Sequence, residues 1–223
     1  MTGKQGFQTN LSAAEILNQI LSQPHFESLT NIVFMGMGEP LDNIDEVLKT
    51  YQILTSDWGM AWSPRRITIS TVGIEKQMTR LLNETECHVA VSLHSPFDGE
   101  RAELMPVQRS NKIEAIIKHL HSYDWRGQRR LSFEYIMFDG INDTERHLKG
   151  LISLLKGLFC RVNLIRYHAI PDLPYKPTAE SKMIHFRDTL TENNIIATIR
   201  RSRGQDIDAA CGMLSSKNNP EVQ

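Results

Sequence analysis

Cysteine is scarce in this sequence. There are three in 223 residues, Cys87, Cys160 and Cys211, widely separated and without a Cys-x-x-Cys pair. Such spacing excludes a disulfide framework and a zinc or dithiol loop, and it fits a reducing compartment. No apolar run approaches the roughly 18 residues needed to span a bilayer, and residues 1–10 lack a signal peptide's hydrophobic segment. The expected setting is therefore the cytoplasm, with no membrane partner. A dominant charge is also missing: the formal net charge is -1, so any nucleic-acid contact must come from local patches. Low-complexity tracts, repeats and inter-domain linkers are absent as well. Residues 1–223 read as one domain, with 201–223 a polar, loop-like tail carrying Cys211.

What the chain does contain is alternation. Six β-rich runs, at 31–34, 65–73, 88–94, 130–138, 161–168 and 195–200, are separated by helical patterns. Ser12 with Glu15 reads as a capping box ahead of the apolar stripe Ile16, Leu17, Ile20 and Leu21. Asn43 with Glu46, Asn111 with Glu114, and Asn142 with Glu145 read as starts of later helices. The apolar run Ile32, Val33 and Phe34 predicts a strand covered on both faces. Strands alternating with helices imply an α/β fold whose parallel sheet is wound by right-handed crossovers. Ligands of such sheets sit at the carboxyl ends of the strands.

Polar residues fall at those ends: Glu39, Ser70, Ser92, His94, Asn163 and His168. Gly36 and Gly38 precede Glu39, and glycine allows the sharp turn and close backbone approach that a ligand requires. A histidine at the position of His94 can be a general acid or base, a ligand contact or a hydrogen-bonded structural residue. Ser92, two positions earlier, shares its strand face and favours a ligand contact. Cys87 and Cys160 precede strands and read as small core residues. Cys211, flanked by Gly212 and preceded by Arg203-Gly-Gln-Asp-Ile-Asp-Ala-Ala, can be a nucleophile or a buried terminal cysteine. Arg126, Arg129, Arg130, Arg200, Arg201 and Arg203 can meet phosphates or form a solvated basic face.

Four segments together resemble a known family: Gly-Met-Gly-Glu-Pro at 36–40, Arg-Arg-Ile-Thr-Ile-Ser-Thr at 65–71, Ser-Leu-His at 92–94 and Arg-Gly-Gln-Asp-Ile-Asp-Ala-Ala-Cys-Gly at 203–212. They are similar to segments of the radical S-adenosylmethionine enzymes that methylate C2 of adenine in 23S ribosomal RNA and some transfer RNAs. The resemblance runs from about Thr2 to Leu214 and implies a partial (β/α)6 barrel. It implies that Gly38 and Glu39 hold the methionine part of S-adenosylmethionine and that Ser70, Ser92, Leu93 and His94 line the rest of the site. His168 stands where the family usually has asparagine. Cys211 matches the cysteine that is methylated by one S-adenosylmethionine and passes its carbon to RNA after a second supplies the radical.

The family also carries Cys-x-x-x-Cys-x-x-Cys, the ligand set of a [4Fe-4S] cluster, just before the segment matching Thr2–Phe7. This sequence starts after it. The cluster ligands, a second reactive cysteine, the N-terminal RNA-binding region and the first barrel strand are therefore expected to be missing, and the chain alone is expected to be inactive. No metal ligand is assigned in it, and the oligomeric state is left open. Two rival readings are a non-catalytic barrel that binds nucleosides or RNA, and an unrelated barrel enzyme acting on a phosphorylated metabolite.

Overall fold

Ser12 starts the first helix as its spacing predicts. Its Oγ accepts a hydrogen bond from the Glu15 amide, and Glu15 Oε2 accepts one from the Ser12 amide at 2.8 Å, so α1 runs Ala13–Leu21. The structure, a computed structural model, describes residues 9–105, 111–169 and 173–200. Strands and helices then alternate: β1 (Ile32–Phe34), α2 (Ile44–Thr55), β2 (Ile67–Thr71), α3 (Glu75–Glu84), β3 (His88–Ser92), α4 (Asp98–Leu104), α5 (Ile113–Leu120), β4 (Leu131–Met137), α6 (Glu145–Leu155), β5 (Arg161–Arg166), α7 (Glu180–Glu192) and β6 (Ile196–Arg200).

The six strands are all parallel and lie in the order β1-β2-β3-β4-β5-β6. Each strand pairs with its predecessor, so right-handed crossovers stack the helices on one face and leave the other concave. This is the expected partial (β/α)6 barrel, with β1 and β6 at its edges. Side-chain alternation separates the two faces. Ile67 and Ile69 of β2, Val89 and Val91 of β3, Phe133 and Tyr135 of β4, and Val162 and Leu164 of β5 are fully buried. They pack with Leu54, Met78, Leu81, Ile113, Leu151 and Phe186 from the helices in one continuous core. Burial of each such side chain is worth about 2 kcal/mol, so this layer supplies most of the fold's drive.

Four local expectations need correction. β1 is not covered on both faces, because Val33 is 52% exposed on a sheet edge. Asn43 makes no side-chain cap: a 3-10 turn at Pro40–Asn43 precedes α2, Asn43 Nδ2 donates to the Leu11 carbonyl, and Glu46 accepts from the Ala13 amide. Lys112, not Asn111, sits at the start of α5, whose first amide, Ile113, is capped by Asp98 Oδ1 at 2.7 Å. Thr144 precedes α6, while Asn142 is used elsewhere, as described below. For Asn43 and Asn142 a partner distant in sequence takes the amide that a local pattern would have used.

Candidate functional site

β1 runs into Met35-Gly-Met-Gly-Glu, where Gly38 adopts φ +85° and neither Gly36 nor Gly38 has an atom within 4 Å of where a Cβ would stand. The backbone there is open to a ligand from above the sheet. Glu39 closes the turn. Its Oε1 accepts from the Leu41 amide at 3.0 Å, and its Oε2 reaches the Val72 amide at the end of β2 at 2.8 Å. Burial pushes the Glu39 carboxyl above the ordinary carboxylate range, and the Val72, Leu41 and Thr71 hydrogen bonds only partly offset that. Glu39 thus fixes the ends of β1 and β2 relative to each other.

His94 follows β3 with a backbone φ of +55°, in the left-handed region that a non-glycine residue occupies at a cost. Two bonds hold it there. Its Nδ1 accepts from the Ile136 amide at 3.1 Å, and its carbonyl accepts from Asn142 Nδ2 at 2.7 Å. Asn142 also donates to the Ile136 carbonyl and accepts from the Phe138 amide, both at 2.7 Å. Some of the His94 residue surface remains accessible, but its ring sits deep among its neighbours. Burial, followed by the Arg101 charge, lowers its pKa to about 4. The ring is therefore neutral at physiological pH, with Nδ1 as the acceptor and Nε2 as the N–H donor.

Arg101 is not among the residues that the sequence pattern singles out. It is in fact completely buried in α4. Its guanidinium donates to the carbonyls of Ser92 at 2.6 Å, Val72 at 2.8 Å and Leu93 at 3.1 Å, with a longer bond to Asn111 at 3.4 Å. Burial lowers its pKa to about 10, which leaves it charged at neutral pH. One cation thereby binds the carboxyl ends of β2 and β3 from beneath.

Further along the concave face, register aligns Ser92, Glu134, Asn163 and Thr198 in one row across β3 to β6. Thr198 Oγ1 donates to Asn163 Oδ1 at 2.8 Å, and Asn163 Nδ2 donates to Glu134 Oε1 at 2.7 Å. Glu134 is 6% exposed, and its buried Oε2 makes no hydrogen bond, although Arg200 Nη1 lies 3.6 Å away. Glu134 is not among the expected site residues; its signal is an acid on the same face as Ser132 in a strand whose other residues are apolar.

The expected site residues thus divide. Gly38, Glu39, Ser70, Ser92 and His94 gather at the carboxyl ends of β1 to β3, with Ser70 and Ser92 half-buried on the concave side. Leu93 is fully buried and turns its side chain into the core, so it faces the site with backbone only. His168 lies just past the end of β5, also half-buried. Cys211 lies outside the described residues. Cys87 and Cys160 are core residues as expected; burial raises both thiols, Cys160 to about 12.

The sequence profile of the "Radical SAM superfamily" matches residues 2–151. The chain belongs to the radical SAM superfamily. Among curated relatives, the "Probable dual-specificity RNA methyltransferase RlmN" of Phocaeicola vulgatus is 57% identical over 97% of this chain and 62% of its own length. The "Dual-specificity RNA methyltransferase RlmN" of Syntrophus aciditrophicus is 42% identical, over 97% of this chain and 63% of its own. A crystal structure of a radical SAM methyltransferase from Sphaerobacter thermophilus superposes with a TM-score of 0.89 at 38% identity, covering 95% of this chain and 64% of that one. The chain therefore spans somewhat under two thirds of the length of these relatives.

Superfamily membership implies S-adenosylmethionine and a [4Fe-4S] cluster. The residues present fit the first. An open glycine turn, neutral His94, the serines and a Glu134 oxygen that meets only an ion pair to Arg200 line one concave surface with donors and acceptors for a nucleoside and an amino acid. For the cluster, no group of three metal-ligating side chains comes together among the described residues, and none of them is assigned to it. No helix among the described residues is long and apolar enough to cross a membrane.

Proposed function

We propose that this chain forms the barrel of an RNA adenine-C2 methyltransferase and that the concave carboxyl-end surface binds S-adenosylmethionine. Bound there, that molecule supplies an electrophilic methyl group on a sulfonium. The observation that carries the reading is the set of groups left facing the concave side: the unobstructed backbone at Gly36 and Gly38, and the buried Glu134 Oε2 with no hydrogen bond. Its one charged neighbour, Arg200 Nη1 at 3.6 Å, stands beyond hydrogen-bond reach, and a buried carboxylate oxygen usually has a hydrogen-bond donor, which a ligand can supply here.

In this reading Gly38 and Glu39 position the amino-acid end, and Ser70, Ser92 and His94 orient the sugar and base, with His168 at the far side. His94 Nε2–H is a fixed donor because Nδ1 is already occupied. Cys211 is the proposed methyl carrier, and 23S ribosomal RNA and transfer RNA are the proposed substrates. The relatives' names support the RNA assignment.

Calorimetric titration with S-adenosylmethionine tests the site. Glu39→Ala and His94→Ala are each expected to weaken binding at least tenfold. Equal affinity in both variants, or no binding by the unaltered chain, overturns this reading of the surface.

A further inference from the structure

The opposite rim of the barrel, at the amino ends of the strands, has no part in the site described above, yet it carries an unusual set of side chains. Arg65 precedes β2, Arg126 and Arg130 lie in the turn before β4, and Arg161 opens β5; all four are exposed. None forms an ion pair among the described residues, whereas Arg80, Arg146, Arg166 and Arg187 elsewhere on the surface all do. Alternation places Arg130 and Arg161 on the concave side. Arg130 has the parity of Ser132 and Glu134, and Arg161 that of Asn163. Register pairs Arg161 with Ser132, so the two arginines project from neighbouring strands.

At their centre is half-buried His88, the first residue of β3, whose Nδ1 accepts from the Arg130 amide at 3.1 Å. Burial and then the charges of Arg130, Arg129, Arg161 and Arg65 lower its pKa. The positive charges therefore converge on one spot. Arg129 is not free to serve a ligand, since it donates to the Cys87 and Leu82 carbonyls. The acids on this rim, Glu27, Asp57, Glu84, Glu86, Asp124 and Glu192, lie at helix ends or on the connecting segments. Of these, Glu84 is already paired with Arg80, and Asp124 accepts from the Arg126 amide.

The same rim exposes two large aromatics. Trp58, in the α2–β2 connection, is 69% exposed, and Phe159, before β5, is 53% exposed. Unpaired arginines interleaved with exposed aromatic rings are the combination that binds single-stranded nucleic acid: cations neutralise phosphates and ring faces stack on bases. An acidic protein would satisfy the arginines but leave the two exposed rings without a planar partner.

We propose that the amino-end rim is a second RNA-binding surface, which holds a single-stranded segment through Arg65, Arg130 and Arg161 and stacks its bases on Trp58 and Phe159. Choosing RNA as the polyanion rests on the proposed function, but the surface lies at the other end of the strands from Glu39 and His94. The lengths of β3 to β5, about 15–20 Å at roughly 3.3 Å per residue, separate it from that end, while Glu134 and Asn163 stand midway along the concave face.

Fluorescence anisotropy of the full chain with a fluorescein-labelled single-stranded RNA of about ten nucleotides, from 50 to 200 mM salt, provides the test. Removing three phosphate contacts with R65A/R130A/R161A should make the log–log salt slope shallower by about 2 and weaken binding at least tenfold at low salt. W58A/F159A should weaken binding about thirtyfold or more with the slope unchanged. Both variants change only exposed side chains and should keep the parent's melting temperature and its S-adenosylmethionine affinity. Parental slope and affinity in the triple variant would overturn the proposal. Equal binding of polyglutamate and RNA by the parent chain would overturn the RNA assignment. Loss of cofactor binding with an intact rim response would count against the proposed function alone.

Discussion

Arg101 Nη2 donates to the Ser92 carbonyl at 2.6 Å, and that one bond places a buried cation directly beneath the end of β3. Its other bonds reach Val72, Leu93 and, at 3.4 Å, Asn111. Arg101→Met would fill the volume but leave these carbonyls without donors, and it should lower the unfolding free energy by about 3 kcal/mol or more. Arg101→Lys, with a single donor head, should recover only part. Urea unfolding of both variants checks the order.

His94 gives the fold a pH dependence of known sign. Its folded pKa of about 4 lies below the usual 6.5, so between those values the unfolded chain binds more protons. Stability should be at its full value above pH 6.5 and fall as pH drops toward 4, by up to about 3 kcal/mol from this residue. His94→Gln should flatten that window in thermal melts. Nitrogen NMR should show an unprotonated Nδ1 at pH 6.

Asn142 serves three backbone partners: the His94 and Ile136 carbonyls as acceptors and the Phe138 amide as donor. Asn142→Ala should cost about 2–3 kcal/mol. Asn142→Asp should cost more at neutral pH, because it turns a carboxylate toward two carbonyl oxygens. Chemical denaturation of the pair at pH 7 distinguishes the two effects.

Two glycines should respond differently to alanine. At Gly73, φ is +96° and a Cβ would stand 2.5 Å from Ile116 Cδ1, so Gly73→Ala should destabilise by about 2–3 kcal/mol. At Gly36 a Cβ meets nothing. Gly36→Ala should leave the melting temperature unchanged while weakening S-adenosylmethionine binding, if the backbone there is the ligand's floor.

The architecture was legible because it depends on periodicity. The β-rich runs and their polar ends mark six strands, and Ser12–Glu15 marks a helix start because both partners are local. The asparagines were misleading because an amide's bonding capacity is visible in sequence but its captor is not. Asn142 is taken by His94, forty-eight positions earlier. Arg101 and Glu134 were missed for the same reason. A charged residue reads as exposed until the strands that bury it are assembled, and Arg101's partner Val72 is twenty-nine positions away. Cys211, whose surrounding segment carries the most specific part of the resemblance, lies outside the described residues.

The strand order has a consequence for how the molecule forms. Each strand pairs with the one made just before it, so no strand must wait for a later one to be inserted between existing neighbours. During synthesis the sheet can lengthen one βα unit at a time, each new crossover closing a loop of similar modest size. Until the next unit arrives, the newest strand is a growing edge with its backbone groups unpaired, so the point of greatest aggregation risk moves along the chain as it emerges.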